Sequence, residues 1–495
     1  MFPQRRRRPP SRTHVLNKVV RQAPFLPFHG AVGGPGPPRA GPAPRTAFPL
    51  AKEPALPTLP ATIPTDVVPH ALTVRPGAPL TGVVTVDGSK NACLPLLAAA
   101  AATRRHVKLS NVPASADVQQ MLALLQQTGF RLSYPVGEPG SLILWPGAFG
   151  PATPDPPEAA RIRASYYLVP ALLAVHGSAR LPWPGGCRIG ERGMGEHFRV
   201  YEAFGDTVRT DERHYTVTTS GHRLGQVRLD LPFRSRGATL AAVLRAVAAG
   251  CRLVLGNPNL SPETTTVLAA LEEAGWDIRV NEEMIAVVPP ETATGSLDWQ
   301  VPGDKIEAGT LACAIAATGG AGRIEGLRGP DARPLADLLT RIGIPVTVTP
   351  DTVTVHRSGQ LTGRPLRAMA SLAPDGLDAD FEPALMALAL GLPGTHLFGD
   401  SINPGRHGNL LPQLARLGAR IEALSPTQCR LTGPQRLTGA MVEATDIRTG
   451  SALLIAALTA RRVTTLTGLD QLRRGHADLP GKLRALGADL TELSG

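Results

Sequence analysis

Five cysteines and an aromatic content of 4% are little for a chain of 495 residues. An odd number of unevenly spaced Cys excludes a small disulfide scaffold and points to a reducing compartment. No C-x-x-C and no close His pair offers a metal site, so neither a metal nor a cofactor is expected. With so few aromatics, the large cores that a 43% apolar content permits must be built from Ala, Leu, Val and Ile. No apolar run approaches the roughly 20 residues that span a bilayer, so a soluble, cytoplasmic protein is expected. The length suits two or three domains.

Acidic residues are the other shortage, and it is local. Residues 1–80 hold 11 Lys and Arg against 2 acids, a charge of +9 out of a total of +11, which leaves +2 for everything after. The same stretch carries 18 of the 49 prolines and shows no sustained periodicity, so residues 1–70 read as a disordered basic tail. Arg5–Arg8 offers charge to nucleic acid, yet no interleaved aromatics stack on bases, and a solvated tail is the preferred reading. A nearly neutral body makes nucleic-acid binding the weakest reading, with the basic tail its one route.

From Ala71 onward one pattern recurs six times: a compact helical segment, a Gly and a short apolar strand, as in LALLQQTGFRL and LPGKLRALGADL. The glycines are Gly129, Gly205, Gly275, Gly343, Gly418 and Gly487, spaced 68 to 76 residues apart. Each stands where a left-handed residue closes a helix. The other half of each unit holds a helix apolar on every side, such as ACLPLLAAAAA or ALLIAALTA, and such helices are buried. Six units of one buried helix, one amphipathic helix and several strands divide into two α/β prisms of three.

Cations stand at the starts of the buried helices: Lys90, Arg163, Arg236, Lys305 and Arg448, with Asp380 in the fifth unit. A cation there opposes the helix macrodipole by roughly 0.3–1 kcal/mol, so its repetition points to a bound anion. Pairing with acids such as Asp87 or Asp304 is the alternative. A second motif, WPGGCRIGERGMGEH, sets Cys187 in a glycine-rich loop between Arg188 and Arg192, where positive charge favours the thiolate. Cys93, Cys251 and Cys313 lie in apolar segments and read as inert, while Cys429 lies in an exposed-looking strand.

Several segments together carry a resemblance: GVVTVDGSKNACLP, RASYYLVPALLA, WPGGCRIGER, RSRGATLAA, GDKIEAGT, DADFEPALMALALGLPGTHLFGDSINPGRHGNLL and TDIRTGSALLIAALTA. They resemble the enolpyruvyl transferases of the EPSP synthase superfamily, and within it the branch that uses UDP-N-acetylglucosamine and opens peptidoglycan synthesis. The resemblance implies two inverse α/β domains of three repeats each, one from residues 71–88 with 304–495 and one from 89–303 carrying the Cys loop. It implies transfer of the enolpyruvyl group of phosphoenolpyruvate to the sugar 3-hydroxyl, with release of phosphate, by a monomer whose partners are phosphoenolpyruvate and UDP-N-acetylglucosamine and that needs no membrane. By matching position, Lys90, Arg192 and Arg448 would hold the phosphoenolpyruvate anions, Cys187 would act as proton donor or in product release, and Asp380 would stand beside the reacting hydroxyl. Arg163, Asn91, His197, Ser235, Gly237, Asp304 and Ile402 would line the sugar-nucleotide site, and Arg406, in the motif next to Asp380, would also bind substrate. Asp378 competes with Asp380 for the role of active-site acid.

The chain departs from that pattern after Arg192, where Pro-Val-Asp-Leu-His is replaced by Gly193, Met194, Gly195, Glu196 and His197. Arg236 replaces a small apolar residue. Chemistry at phosphoenolpyruvate looks intact and uridine recognition looks altered, which keeps two alternatives open: a paralogue with another acceptor, and a non-catalytic sugar-nucleotide-binding relative.

Overall fold

The computed structural model describes residues 71–145, 156–186, 189–190, 193–222, 224–358 and 363–493. The expected tail over 1–70 lies outside the described residues, as do Cys187, Arg188 and Arg192. Of the fourteen α-helices among the described residues, all but the short Pro156–Arg161 and Leu469–Arg473 alternate along the chain between inner and outer positions. The inner ones are α1 (Lys90–Thr103), α3 (Val169–His176), α5 (Arg236–Ala249), α7 (Lys305–Ala317), α9 (Glu382–Ala389) and α11 (Ile447–Leu458). The outer ones are α2 (Ala116–Gln127), α4 (Gly195–Ala203), α6 (Pro262–Glu273), α8 (Arg333–Arg341), α10 (Arg406–Arg416) and α12 (Leu479–Ala485).

Each outer helix is followed by one of the six repeat glycines, and all six adopt the left-handed conformation, with φ between +73° and +100°. A residue with a Cβ is strained there, so the repeat seen in the sequence is a backbone requirement. The inner helices are buried nearly all round because their surfaces are mostly Ala and Leu. Small side chains let helices approach closely, and α1, α3 and α5 pack on one another, as do α7, α9 and α11.

Six sheets enclose these helices among the described residues, five of four strands and one of three. Where a strand precedes an inner helix, it lies parallel to a strand that follows one: Gln226–Asp230 beside Arg252–Gly256, and Arg367–Met369 beside Gly394–Gly399. Two such strands are exchanged. Thr81–Thr85, just before α1, pairs with Ala321–Glu325 after α7, while Leu297–Gln300, just before α7, pairs with Val107–Ser110 after α1. The two crossing segments meet at a bridge between Gly88 and Gly303. Ala71–Arg75 joins the last sheet, antiparallel to both Thr464–Thr467 and Asp489–Leu493.

The buried apolar residues accordingly form two cores, one drawn from 93–301 and the other from 72–86 together with 306–490. Each fully buried Leu in them contributes roughly 1.5–3 kcal/mol. Cys93, Cys251 and Cys313 are buried as expected. Cys429 corrects the sequence reading: it sits on the inward face of the strand Gln428–Gly433 and is fully buried, because the strand's alternation points it at the core. No described helix is long and apolar enough to cross a membrane.

Candidate active site

The inner helices begin at a common cleft of about 510 Å³. Four of their starts are capped by side chains that accept the first free N–H groups: Ser89 from Ala92 (3.3 Å), Ser235 from Ala238 (3.3 Å), Asp304 from Ile306 (2.7 Å) and Asp446 from Arg448 (3.0 Å). The cap leaves the adjacent first-turn residue facing the cleft, which is where Lys90, Arg236, Lys305 and Arg448 stand. The sequence spacing of cations is thus one arrangement repeated by the fold.

Of the expected site residues, Lys90, Asn91, Arg163, His197 and Ser235 line the cleft from the first core. Gly237 does so as well, and Asp380, Ile402, Arg406 and Arg448 line it from the second. Asp304 does not. Its carboxylate is taken up as the cap of α7, buried at 4% exposure, and burial raises its pKa. Cys187 and Arg192, expected in the site, lie outside the described residues, although their chain neighbours Gly186, Ile189 and Gly193 line the cleft.

Asp380 is the best-anchored group in the site. Its carboxylate accepts from Arg406 Nη2 at 2.8 Å and Arg448 Nη2 at 3.0 Å, with Asn91 Nδ2 at 3.5 Å from across the cleft. Burial would raise its pKa, but the charges of Arg448 and Arg406 outweigh that and hold it well below the usual carboxylate range. Behind it, an added Cβ at Gly309 would run into the Phe381 ring, so glycine lets α7 pack against the segment that carries Asp380.

Asp378, two residues earlier, belongs to a different group. It meets Lys305 Nζ at 3.0 Å and Arg236 Nη2 at 3.2 Å, and Glu263 meets the same two cations at 3.0 and 3.6 Å. Arg236 and Glu263 come from the first core, Lys305 and Asp378 from the second, so two opposite-charge pairs cross the cleft. Burial raises the Asp378 carboxyl, and Lys305 and Arg236 outweigh it, leaving a pKa of about 2.

Lys90 Nζ lies 3.5 Å from Asp117 Oδ2, whose other oxygen meets Arg474 Nε at 2.9 Å. The acids that meet these cations are therefore Asp117, Glu263, Asp378 and Asp380, not Asp87 and Asp304 as the sequence offered. Arg474, Asp117, Glu263 and Asp446 all bear on the site and were missed. Arg474 lies in LRRGH, a connecting segment outside the repeat, and the basic pair before Gly475 was its only signal.

His197 lies on the inner side of α4, buried, edge-on to Tyr166 with ring centroids 4.5 Å apart. Neither of its ring nitrogens has a hydrogen-bond partner among the described residues. An added Cβ at Gly237 would fall 2.6 Å from His197 Nε2, so only glycine admits the ring here. Burial, helped by the Arg163 charge, lowers the His197 pKa from 6.5 to about 3. The folded state thus refuses a proton that the unfolded chain accepts below pH 6.5. This contribution to stability is complete above pH 6.5 and is lost as pH falls from 6.5 toward 3, with a slope of about 1.4 kcal/mol per pH unit. His197→Gln should remove that one-proton slope; denaturant titrations at pH 4.5, 5.5 and 7.5 with a slope unchanged from wild type would contradict it.

Convergent cations, a clamped acid and capped helix starts suit a small substrate with more than one anionic group. The family model for EPSP synthase (3-phosphoshikimate 1-carboxyvinyltransferase) matches residues 74–483. The chain belongs to the EPSP synthase family. Among its relatives, UDP-N-acetylglucosamine 1-carboxyvinyltransferase of Acidiphilium cryptum is 34% identical over 422 residues, 85% of this chain and 98% of the relative. UDP-N-acetylglucosamine 1-carboxyvinyltransferase 3 of Symbiobacterium thermophilum is 34% identical over 421 residues, 85% and 97%. The crystal structure of the enolpyruvyl transferase NikO from Streptomyces tendae superposes with a TM-score of 0.74 at 28% identity, covering 86% of this chain and 99% of that one. The α/β prism architecture expected from the repeats is that of the family.

Proposed function

We propose that the chain transfers the enolpyruvyl group of phosphoenolpyruvate to the 3-hydroxyl of UDP-N-acetylglucosamine and releases phosphate, the first committed step of peptidoglycan synthesis. The observation that carries this reading is the Asp380 carboxylate held between Arg406 and Arg448 in the cleft that Lys90 lines from the opposite side. The reaction needs a group to take the hydroxyl proton, a donor for the methylene carbon, and cations for a phosphate and a carboxylate. Lys90, Arg448 and Arg192 are assigned to those anions, and Cys187 to the proton donor or to product release. The sugar oxygen bonds to the central carbon of phosphoenolpyruvate as the methylene gains a proton; loss of that proton and of phosphate then restores the double bond.

Arg448 links the two halves of this chemistry. Paired with two guanidinium groups, Asp380 is a weak base. An arriving anion that draws Arg448 toward itself raises the Asp380 pKa and readies it for the hydroxyl beside Asn91. A cation about 4 Å from a unit negative charge is worth on the order of 4 kcal/mol at an effective dielectric of 20, so losing one partner is a large change. Arg163, His197, Ser235, Gly237, Ile402 and Arg406 are assigned to the sugar nucleotide, and Asp304 to support of α7. On this reading the two cores act as domains, 71–88 with 304–495 and 89–303, and the substrates place the reaction in the cytoplasm.

A second reading, an enolpyruvyl transferase for another acceptor, draws on Arg236 and on the Gly193–Gly195 segment. Phosphate release from phosphoenolpyruvate, measured with a panel of sugar nucleotides and shikimate 3-phosphate, separates the two. Gly195→Asp sharpens the choice. An added Cβ at Gly195 meets nothing within 4 Å, and an acid in the first turn of α4 favours the helix by roughly 0.3–1 kcal/mol, so the variant should fold. If the acceptor is UDP-N-acetylglucosamine, its affinity should tighten or stay the same; weaker binding, with activity on another nucleotide in wild type, would favour the second reading.

A further inference from the structure

Arg448 has a second partner on the side away from Asp380. Its Nη1 lies 3.1 Å from Nε2 of His476, a residue buried just after the short helix Leu469–Arg473. A guanidinium only donates, so Nε2 of His476 must present a lone pair. That places the ring proton on Nδ1. Nδ1 faces Glu307 Oε1 at 3.6 Å, and neither atom has another partner among the described residues. The other Glu307 oxygen is already occupied, by the Asp87 N–H at 2.9 Å and Lys482 Nζ at 2.5 Å. Two polar atoms that nothing else satisfies therefore face each other, and a small rotation of the ring closes the gap to a hydrogen bond. Burial would raise the Glu307 carboxyl, yet hydrogen bonding from His476 and the Lys482 contact lower it, so it stays ionised and able only to accept.

We infer that His476 is a positioning residue for the transferase reaction: as the neutral ring with its proton on Nδ1, it anchors to Glu307 and uses Nε2 to fix which N–H groups of Arg448 remain for Asp380 and the anion. The inference rests on the role given to Arg448 under the proposed function. Glu307 is in turn fixed in the first turn of α7, and Lys482, from α12, binds it together with Asp87. The relay thus runs from a rigid helix start through His476 to Arg448 and Asp380. A guanidinium without it has rotational freedom, and misplacement of a reacting-site group by about 1 Å costs up to ~100-fold in rate.

The two ring nitrogens are separable by substitution. Gln places its amide oxygen near the position of Nε2 and keeps an acceptor for Arg448; Asn keeps a donor toward Glu307 and leaves Arg448 without one. His476→Gln is expected to stay within about threefold of wild-type kcat, and His476→Asn to lose about tenfold or more, with UDP-N-acetylglucosamine affinity unchanged within about twofold in both. A purely structural histidine would not sort the two amides this way, and equal losses in both folded variants would overturn the inference. The full-length protein labelled with 15N-histidine gives a readout that needs no turnover: His476 should show a protonated Nδ1 and an unprotonated Nε2. A proton on Nε2, or on both nitrogens, would overturn it even in an active enzyme. Absence of phosphate release by wild type with every acceptor would instead count against the transferase reading and leave the ring-nitrogen test standing.

Discussion

Asp380→Asn is expected to lower turnover by about 100-fold or more, the usual worth of a positioned acid or base, while phosphoenolpyruvate and sugar-nucleotide binding stay largely intact. The substitution keeps the shape of the side chain and one oxygen for Arg406 or Arg448, but it removes the group that takes the hydroxyl proton. It also leaves two buried guanidinium groups with less counter-charge. Arg406 retains Asp400 at 3.4 Å and the Ala379 carbonyl, and Arg448 retains His476, so the fold has other anchors. Thermal unfolding and titration calorimetry on the same sample separate loss of chemistry from loss of structure. A variant as active as wild type would transfer the role to Asp378, whose pairing with Lys305 and Arg236 otherwise marks it as part of the bridge across the cleft.

A small electrophilic epoxide that resembles phosphoenolpyruvate is expected to alkylate Cys187 and abolish activity, faster once a sugar nucleotide is bound. The argument is partly by elimination. Thiolates react and thiols do not, and burial pushes Cys313 and Cys429 up to about 12, with Cys93 and Cys251 also raised. Cys187 alone stands between arginines in sequence, and Gly186 and Ile189 on either side of its segment line the cleft. Docking of the epoxide's anion on the cleft cations raises its local concentration there. Peptide mass mapping that finds the label chiefly on one of the four buried cysteines would contradict this.

The repeat glycines and the all-round apolar helices were legible because each follows from a backbone or burial rule that acts locally. A left-handed cap needs Gly, and a helix without a polar face has no surface to show to water. Cations at helix starts were legible for the opposite reason, since they run against the macrodipole. Their partners were not legible: Asp117 meets Arg474 across 357 positions of sequence, and Asp378 meets Arg236 across 142. Nothing local distinguishes Asp304, a cap that does not line the cleft, from Asp446, a cap that does. His476 was invisible for the same reason, because its meaning lies in which nitrogen meets Arg448. Cys429 was misread because a short strand with polar neighbours, Gln428 and Arg430, gives no sign of which face is covered.

The claim that everything else depends on is that the cleft joins the enolpyruvyl group to a sugar oxygen. Incubation of the full chain with UDP-N-acetylglucosamine and phosphoenolpyruvate labelled with 13C at its central carbon, followed by NMR, tests it directly. The account predicts phosphate and a vinyl ether in equal amounts, the labelled carbon coupled through oxygen to the hydrogen on sugar carbon 3. Phosphate released at the same rate without any hydroxyl acceptor, or no ether with any acceptor of the panel, would contradict it.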